Sequence, residues 1–343
     1  MRLIADLHIH SRYSRACSQE MEVTTLAKWA RIKGVNLLGT GDFTHPLYFA
    51  ELKNKLEGGD GGLLRLKGER EGPYFIPTVE VNNIYHQGGR LRKIHTLIVA
   101  PGLEAAARIN RKLSSRGKLS ADGRPTFTFS AKELVKLVLD IAPEAMLIPA
   151  HAWTPWFSLY GSNSGFDSLE ECFEEESANI HAIETGLSSD PAMNWRLSTL
   201  DRITLISNSD AHSPRKIARE ANVLDCPATY RDVVETLKGG EPSRFLFTIE
   251  FFPEEGKYHY DGHRNCKVVW SPQETKRHQA ICPACGKRLK KAAPQKIWQR
   301  ILQVRREEVE VAPGYDGVYG KISLSSSKAE PQPQALAGQL DLL

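Results

Sequence analysis

The chain has 343 residues, 41% hydrophobic and 25% charged, an ordinary globular composition with room for one large α/β barrel and a small module, or for two to three domains. A formal net charge of +4 neither demands nor excludes a nucleic-acid partner. Cys266, Cys282 and Cys285 are clustered while Cys17, Cys172 and Cys226 are scattered, which excludes a disulfide framework; with no stretch of roughly eighteen apolar residues and no apolar signal segment, a soluble, cytoplasmic protein with no membrane partner is expected.

In chain order, residues 2–10 alternate and then present His8 and His10, as a short buried strand does at its end. Residues 22–33 show helical spacing of Leu26, Trp29, Ala30 and Lys33, closed by Gly34. VNLLGTGD (35–42) reads as a strand running out to polar residues. The alternation recurs in FIPTVEV (75–81), IHTLIVA (94–100), a helix over 130–141, AMLIPAHAW (145–153), helical character near 168–178, IHAIETG (180–186) and RITLISNSDAH (202–212). Short apolar strands alternating with helices predict parallel strands with right-handed crossovers. Six or seven of them over about 240 residues suit a barrel better than an open sheet. After Ala221 come a helix over 230–238, a Gly-Gly turn, FLFTIEFFP (245–253) and the cysteine segment. Ser325–Gly338 is small, polar and proline-containing, as a flexible linker is. The expected organisation is a barrel over 1–240, a cysteine module with basic and strand segments over 241–323, and a disordered tail over 324–343.

Asp6, His8, His10, Asp42, Glu80, His95, His151, Glu184, Asp210 and His212 all fall at or just beyond strand C-termini, the face on which a barrel assembles its active site. His8-x-His10 on a strand places both imidazoles on one face, because side chains alternate with period two. Asp210-x-His212 is a second such pair, and Asp42, His45, Glu80, His95 and His151 lie between them. A single histidine is ordinarily a hydrogen-bonded imidazole; the succession of ligand types at strand ends is what points to metal. Imidazole and carboxylate donors suit zinc, manganese or iron, and a carboxylate such as Glu80 can bridge two ions. Paired ions activate a water and stabilise the attacking and leaving oxygens of a phosphoryl displacement. No GxxxxGK[ST] string is present, so an ATPase or helicase lacks its phosphate loop.

The order HIH, GD, VE, IHT, PAH, SDAH resembles the polymerase and histidinol phosphatase (PHP) superfamily of phosphoesterases. That resemblance implies an α/β fold, a distorted (β/α)7 barrel, with two or three divalent ions (Zn, Mn or Mg). It implies one ion on His8, His10, Glu80 and Asp210, with Glu80 bridging to a second on His95 and His151, and His212 serving a third. The second motif is normally Asp-His; here Asp42 precedes Phe43, and a histidine arrives only at His45.

Longer strings resemble one branch of that superfamily, the endonuclease Q family: GTGDFTHP (39–46), TGLSSDPAMNWRLSTLDRITLISNSDAHSPRKIAREAN (185–222), EGKYHYDGHRNC (255–266), ETKRHQAICPACGKRL (274–289) and PGYDGVYG (313–320). The implied activity is a DNA repair cut on the 5′ side of a deaminated base such as hypoxanthine, uracil or xanthine, leaving a 3′-hydroxyl and a 5′-phosphate. By the same resemblance Asp190 joins Glu80 and Asp210 in the catalytic shell. From spacing alone Asp190 serves as well as a helix N-cap before Pro191. The family pattern also implies a long helical stretch before PGYDGVYG, where this chain has only residues 290–312.

Cys282-Pro-Ala-Cys285-Gly-Lys reads as a zinc knuckle, with Gly286 letting the backbone fold back. Cys266 is the third ligand, and His263, at His-x₂-Cys spacing, is preferred over His259 and His278 as the fourth. Such a Cys3His site is closed and holds one structural Zn. Residues 276–306 carry Lys and Arg with no acid, a run suited to phosphates or to a solvated basic face. The final Gln339-Leu340-Asp341-Leu342-Leu343 resembles a bacterial sliding-clamp binding peptide on a mobile tether, which implies a clamp partner.

Overall fold

The structure is a computed structural model that describes residues 1–59, 61–251, 261–289, 310–312 and 321–323. It comprises two compact units, Met1–Gln295 and Lys296–Leu343. Of the second, the described part is an antiparallel pair of Glu310–Ala312 with Lys321–Ser323. PGYDGVYG, His259, the Ser325–Gly338 linker and the Gln339–Leu343 peptide lie outside the described residues, as does all of the basic run beyond Leu289.

The strands of the first unit are β1 (Arg2–Asp6), β2 (Leu37–Gly39), β3 (Leu56–Gly58), β4 (Leu64–Leu66), β5 (Tyr74–Ile76), β6 (Thr78–Gln87), β7 (Arg90–Val99), β8 (Thr126–Phe127), β9 (Met146–Pro149), β10 (Ala182–Glu184), β11 (Thr204–Ile206), β12 (Ala221–Asp225), β13 (Phe245–Ile249), β14 (Asp261–His263) and β15 (Val268–Trp270). They form a seven-stranded sheet ordered β13-β12-β1-β2-β5-β4-β3, a four-stranded sheet ordered β8-β6-β7-β9, and the pairs β10-β11 and β14-β15. Pairing β1-β2-β5 is parallel, as is β10-β11, but β12-β1, β6-β7 and β7-β9 are antiparallel. The expectation of parallel strands throughout is corrected here. Gly88-Gly89 joins β6 directly to β7, and a two-residue turn makes a hairpin where a parallel crossover needs a dozen residues or more.

Bonds past the strand ends carry the pairing onward. Thr40 N donates to Ile76 O, Ala150 N to His95 O, Ala152 N to Glu184 O, Thr185 N to Ile206 O, and His10 N to Ala211 O. A hydrophobic cluster draws Leu3 and Ala5 from β1, Leu37 from β2, Ile76 from β5, Leu97 and Val99 from β7, and Ile148, Ala182, Ile206 and Leu224 from the strands after them. Successive strands therefore share one core, and their polar ends are brought side by side.

Helices cover the outer faces, where a second and larger cluster lies. They are α1 (Val23–Lys33), α2 (Pro46–Lys55), α3 (Leu103–Ser114), α4 (Ala131–Ile141), α5 (Leu169–Phe173), α6 (Pro191–Asn194), α7 (Tyr230–Gly239) and α8 (Pro272–Arg277). In α4, Leu134, Val135 and Val138 repeat at helical spacing and are buried, and the Ser130 side chain caps the helix by accepting from Glu133 N. Thr229 caps α7 in the same way through Asp232 N. The helical character near 168–178 resolves into α5 and a 3₁₀ segment, Glu174–Asn179. Among the described residues no helix is long and apolar enough to cross a membrane.

Candidate metal centre

β1 runs straight into the site. Beyond Asp6 the chain stays extended, and Ile9 forms a parallel bridge with Ala211, which fixes His8 and His10 against Asp210. Ligand atoms of His8, His10 and Asp210 lie within 4.8 Å of one another. His10 Nε2 is 3.1 Å from Asp210 Oδ1 and 3.3 Å from Glu80 Oε2; His8 Nε2 is 3.7 Å from Glu80 Oε1 and 3.9 Å from Asp210 Oδ1. Despite these short separations, His8 Nε2, His10 Nε2 and Asp210 Oδ1 are buried and have no hydrogen-bond partner among the described residues. Orphaned buried polar atoms are costly, and three of them converging on one point fit a cation.

A second cluster is Glu80, His95 and His151, again within 4.8 Å. Register explains part of it: His95 sits opposite Asn82 in the β6-β7 hairpin, and Glu80, two residues along, shares that face. Glu80 Oε1 is 2.5 Å from His95 Nδ1 and 2.9 Å from His151 Nε2, while its Oε2 turns toward His10. One carboxylate thus faces both clusters.

The imidazoles are held from behind. Glu184 lies 2.9 Å from His8 Nδ1 and also accepts from His151 N. Asp42 Oδ1 lies 3.1 Å from His10 Nδ1, and its Oδ2 accepts from Ser11 N, Ser11 Oγ and Ser14 Oγ at 2.6–2.8 Å. Carboxylates on Nδ1 fix the tautomer that leaves Nε2 free for a metal. Gly123 packs so tightly on this buttress that a Cβ there would stand 2.3 Å from Asp42 Oδ2. Asp42, His151 and Asp210 all have positive φ (44°, 33° and 47°), strain of the kind that persists at over-determined functional sites.

Burial opposes charge on every group here, and at His8, His10, Glu80 and Asp210 the neighbours override it. Glu184 and Glu80 hold the His8 imidazole well above its ordinary range, and Asp210 and Asp42 do the same for His10. His95, Arg124 and His8 hold Glu80 well below the carboxylate range, and His10 and His8 lower Asp210. His95 behaves oppositely, pushed down to about 4 chiefly by burial. The surroundings therefore demand positive charge at the His8-His10-Asp210 point, a demand a divalent ion answers with release of protons.

The remaining sequence candidates are placed as follows. His212 borders the first cluster, its Nδ1 2.9 Å from the Asp210 carbonyl and its ring 4.6 Å from that of His10. His45 precedes α2, stacks on Tyr13 at 4.4 Å and belongs to neither cluster; Asp42 belongs to the buttress. Asp6 lies behind the site, accepting from Ser209 and from Ala218 N. Asp190 caps α6 through Oδ1, accepting from Met193 N at 2.7 Å, the helix-cap alternative left open by its spacing. Arg124 was missed. Its Nη1 donates to Glu80 Oε2 at 3.0 Å across forty-four residues of sequence, and no local pattern marks it.

His263, Cys266, Cys282 and Cys285 form a third cluster within 4.8 Å. The knuckle closes through Gly286 N to Cys282 O and Cys282 N to Lys287 O, with Gly286 at φ 67°. Burial opposes the Cys282 thiolate, but backbone donation from Ala284 and the His263 side chain bring it down to about 7. His278 instead stacks on Trp270 at 4.5 Å. A Cys3His donor set of this kind fits structural zinc.

No family model matches the chain. The uncharacterized protein YqxK of Bacillus subtilis (strain 168) is 30% identical over 302 residues, covering 83% of this chain and 73% of that protein. The uncharacterized protein MJ0043 of Methanocaldococcus jannaschii is 31% identical over 151 residues, 44% of this chain and 16% of its own length. Among solved structures, the lesion-specific endonuclease PfuEndoQ from Pyrococcus furiosus superposes with a TM-score of 0.73 at 25% identity, covering 95% of this chain and 96% of that one. A complex of Endonuclease Q with a 27-mer duplex substrate bearing an abasic lesion at the active site gives 0.74 at 25% identity, covering 95% and 97%.

Proposed function

The chain belongs to the endonuclease Q family, and from that premise we propose that it is a metal-dependent endonuclease that cuts DNA 5′ of a deaminated base: hypoxanthine, uracil or xanthine. The observation that carries this reading is the pair of buried clusters sharing Glu80, with orphaned Nε2 and Oδ1 atoms converging on one point. His8, His10 and Asp210 would hold one ion (Zn, Mn or Mg), His95 and His151 another, and Glu80 both; His212 would serve a third. When bound, such ions lower the pKa of a water and stabilise charge on the phosphoryl oxygens. Arg124 supplies a fixed positive charge beside Glu80, where a scissile phosphate would arrive.

The distorted seven-stranded barrel is the reading that the strand-end bonds and shared core support. The zinc module completes the proposal. Lys276, Arg277, Lys287 and Arg288 are exposed around it and suit a DNA backbone. Neutralising Arg277, Lys287 and Arg288 should flatten the salt dependence of DNA binding by about one unit of slope per lost contact. The boundaries 1–240, 241–323 and 324–343 remain our proposed division, and clamp binding through Gln339–Leu343 rests on sequence alone.

Asp190 is proposed as a member of the catalytic shell, and Asp190→Asn separates the two roles, because asparagine caps a helix as well as aspartate. A catalytic Asp190 predicts a loss of roughly hundredfold or more in single-turnover rate with unchanged thermal stability. A residue that only caps would leave the rate intact.

The whole reading is tested with end-labelled duplexes containing hypoxanthine, uracil, xanthine, an abasic site or no lesion, with Mg²⁺, Mn²⁺ or Zn²⁺. A nick immediately 5′ of a deaminated base is expected. Cleavage indifferent to the lesion would leave a nuclease but remove the proposed specificity.

A further inference from the structure

Trp156 is 45% exposed, in a fold that buries most of its large apolar side chains. It lies in the loop that begins at the candidate ligand His151, and that loop is firmly placed. The Thr154 hydroxyl meets His151 Nδ1 at 3.0 Å and donates to Trp156 O at 3.0 Å. The next residue, Phe157, accepts from His95 N at 3.1 Å and sets its ring 4.9 Å from the His95 ring. Phe157 holds φ 61°, left-handed backbone that an aromatic residue adopts only under constraint. Ser164 ties the far side of the loop to Lys93 N. The Trp156 carbonyl is therefore one hydroxyl away from one candidate ligand, and the ring of its neighbour Phe157 lies against another.

Charge lies over the same rings. Lys93 Nζ is 5.4 Å from the Trp156 ring centre and 5.1 Å from that of Phe157. An exposed indole beside a lysine is what a base and its adjoining phosphate require: a flat apolar face for stacking and a cation for the backbone. Arg124 adds a second cation on the metal-centre side.

We propose that Trp156 is the stacking platform for a nucleobase taken out of the duplex at the cut, with Lys93 holding the adjoining phosphate. This rests on the endonuclease reading and deepens it by naming residues that bind the opened strand. An aromatic face can stack only on a base that has left the duplex, and by doing so it lowers the cost of unstacking.

The test uses full-length protein with Ca²⁺ to hold DNA uncut, and duplexes carrying 2-aminopurine either at the lesion position or at its 5′ neighbour. Wild-type protein should quench the probe in one of these duplexes, and Trp156→Ala should leave it several-fold brighter. With Mn²⁺ in place of Ca²⁺, Trp156→Ala should lose roughly tenfold to a hundredfold in single-turnover nicking, and Trp156→Tyr should recover most of that loss. Metal content and melting temperature of each variant establish that the fold is kept. Lys93→Met should lower the salt slope of binding by about one. Equal quenching and equal nicking by Trp156→Ala and wild type would overturn the platform while the endonuclease stands. Quenching that depends on Trp156 in a protein that nicks no DNA would keep the platform and remove the endonuclease. DNA neither bound nor cut by wild type would remove both.

Discussion

Asp42 gives both oxygens to protein donors: one to His10, the other to Ser11 and Ser14. Asp42→Asn keeps its shape but loses the charge that orients His10, so metal affinity should fall by roughly tenfold to a hundredfold with the fold intact. Titrating metal-stripped protein checks this; an unchanged affinity would show that His10 needs no buttress. A different carboxylate governs pH. Burial and nearby Glu250 push Glu220, whose Oε2 accepts from Ser207, from the ordinary 4.5 up to about 8. The folded state then binds this proton more tightly than the unfolded chain. Its contribution to stability is complete below about 4.5 and declines as pH rises toward about 8. Glu220→Gln should therefore be more stable relative to wild type at pH 8 than at pH 5, by on the order of a few kcal/mol, in denaturant melts at the two pH values. His8, His10 and Asp210 were legible because ligand types at period two mark a strand end. Arg124 and the buttressing role of Glu184 were not, since each depends on a partner remote in sequence. The left-handed backbone at Asp42, His151 and Asp210 leaves no trace in residue type.

At the scale of elements, the zinc knuckle and the β6-β7 hairpin show the two kinds of legibility. CPACGK announces its turn, and the structure brings His263, Cys266, Cys282 and Cys285 together as the spacing suggests. Under the proposed reading, Cys285→Ser should abolish zinc uptake by this cluster and expose residues 261–289 to protease, while metal uptake at the His8, His10 and Asp210 centre is kept. Zinc analysis beside limited proteolysis reads both, and loss of every metal together would mean that the module and the barrel fold as one unit. FIPTVEV and IHTLIVA, by contrast, read alike as parallel or antiparallel strands. Only Gly88-Gly89 between β6 and β7 decides, and periodicity says nothing about direction. Close packing is as hard to read. Gly123→Ala would drive a methyl group into Asp42 and Ser14, so we expect a loss of roughly 1–3 kcal/mol and weaker metal binding. Wild-type stability in that variant would show that the 122–124 turn yields.

Across the whole molecule, the chain order of strands sets the chemistry. Strands β1, β2, β5, β7, β9, β10 and β11 contribute to one core, and the chain beyond β1 meets the chain beyond β11 through Ile9 and Ala211, so that His8 and His10 lie beside Asp210, two hundred positions away. The succession of strand ends was visible in the sequence, and the face they share follows from it. The Ile9–Ala211 bridge was not, because it pairs residues remote in sequence. Whether this centre hydrolyses DNA is decided by reconstitution. Metal-stripped protein is given Mn²⁺ in increments and offered a hypoxanthine duplex and a small phosphate monoester, with a His8→Ala, Asp210→Ala double variant in parallel. A DNA-cutting metal centre should give nicking that rises with the first two equivalents of metal, little monoester turnover, and no activity in the variant. Intact DNA with vigorous, metal-dependent hydrolysis of the monoester would contradict that reading.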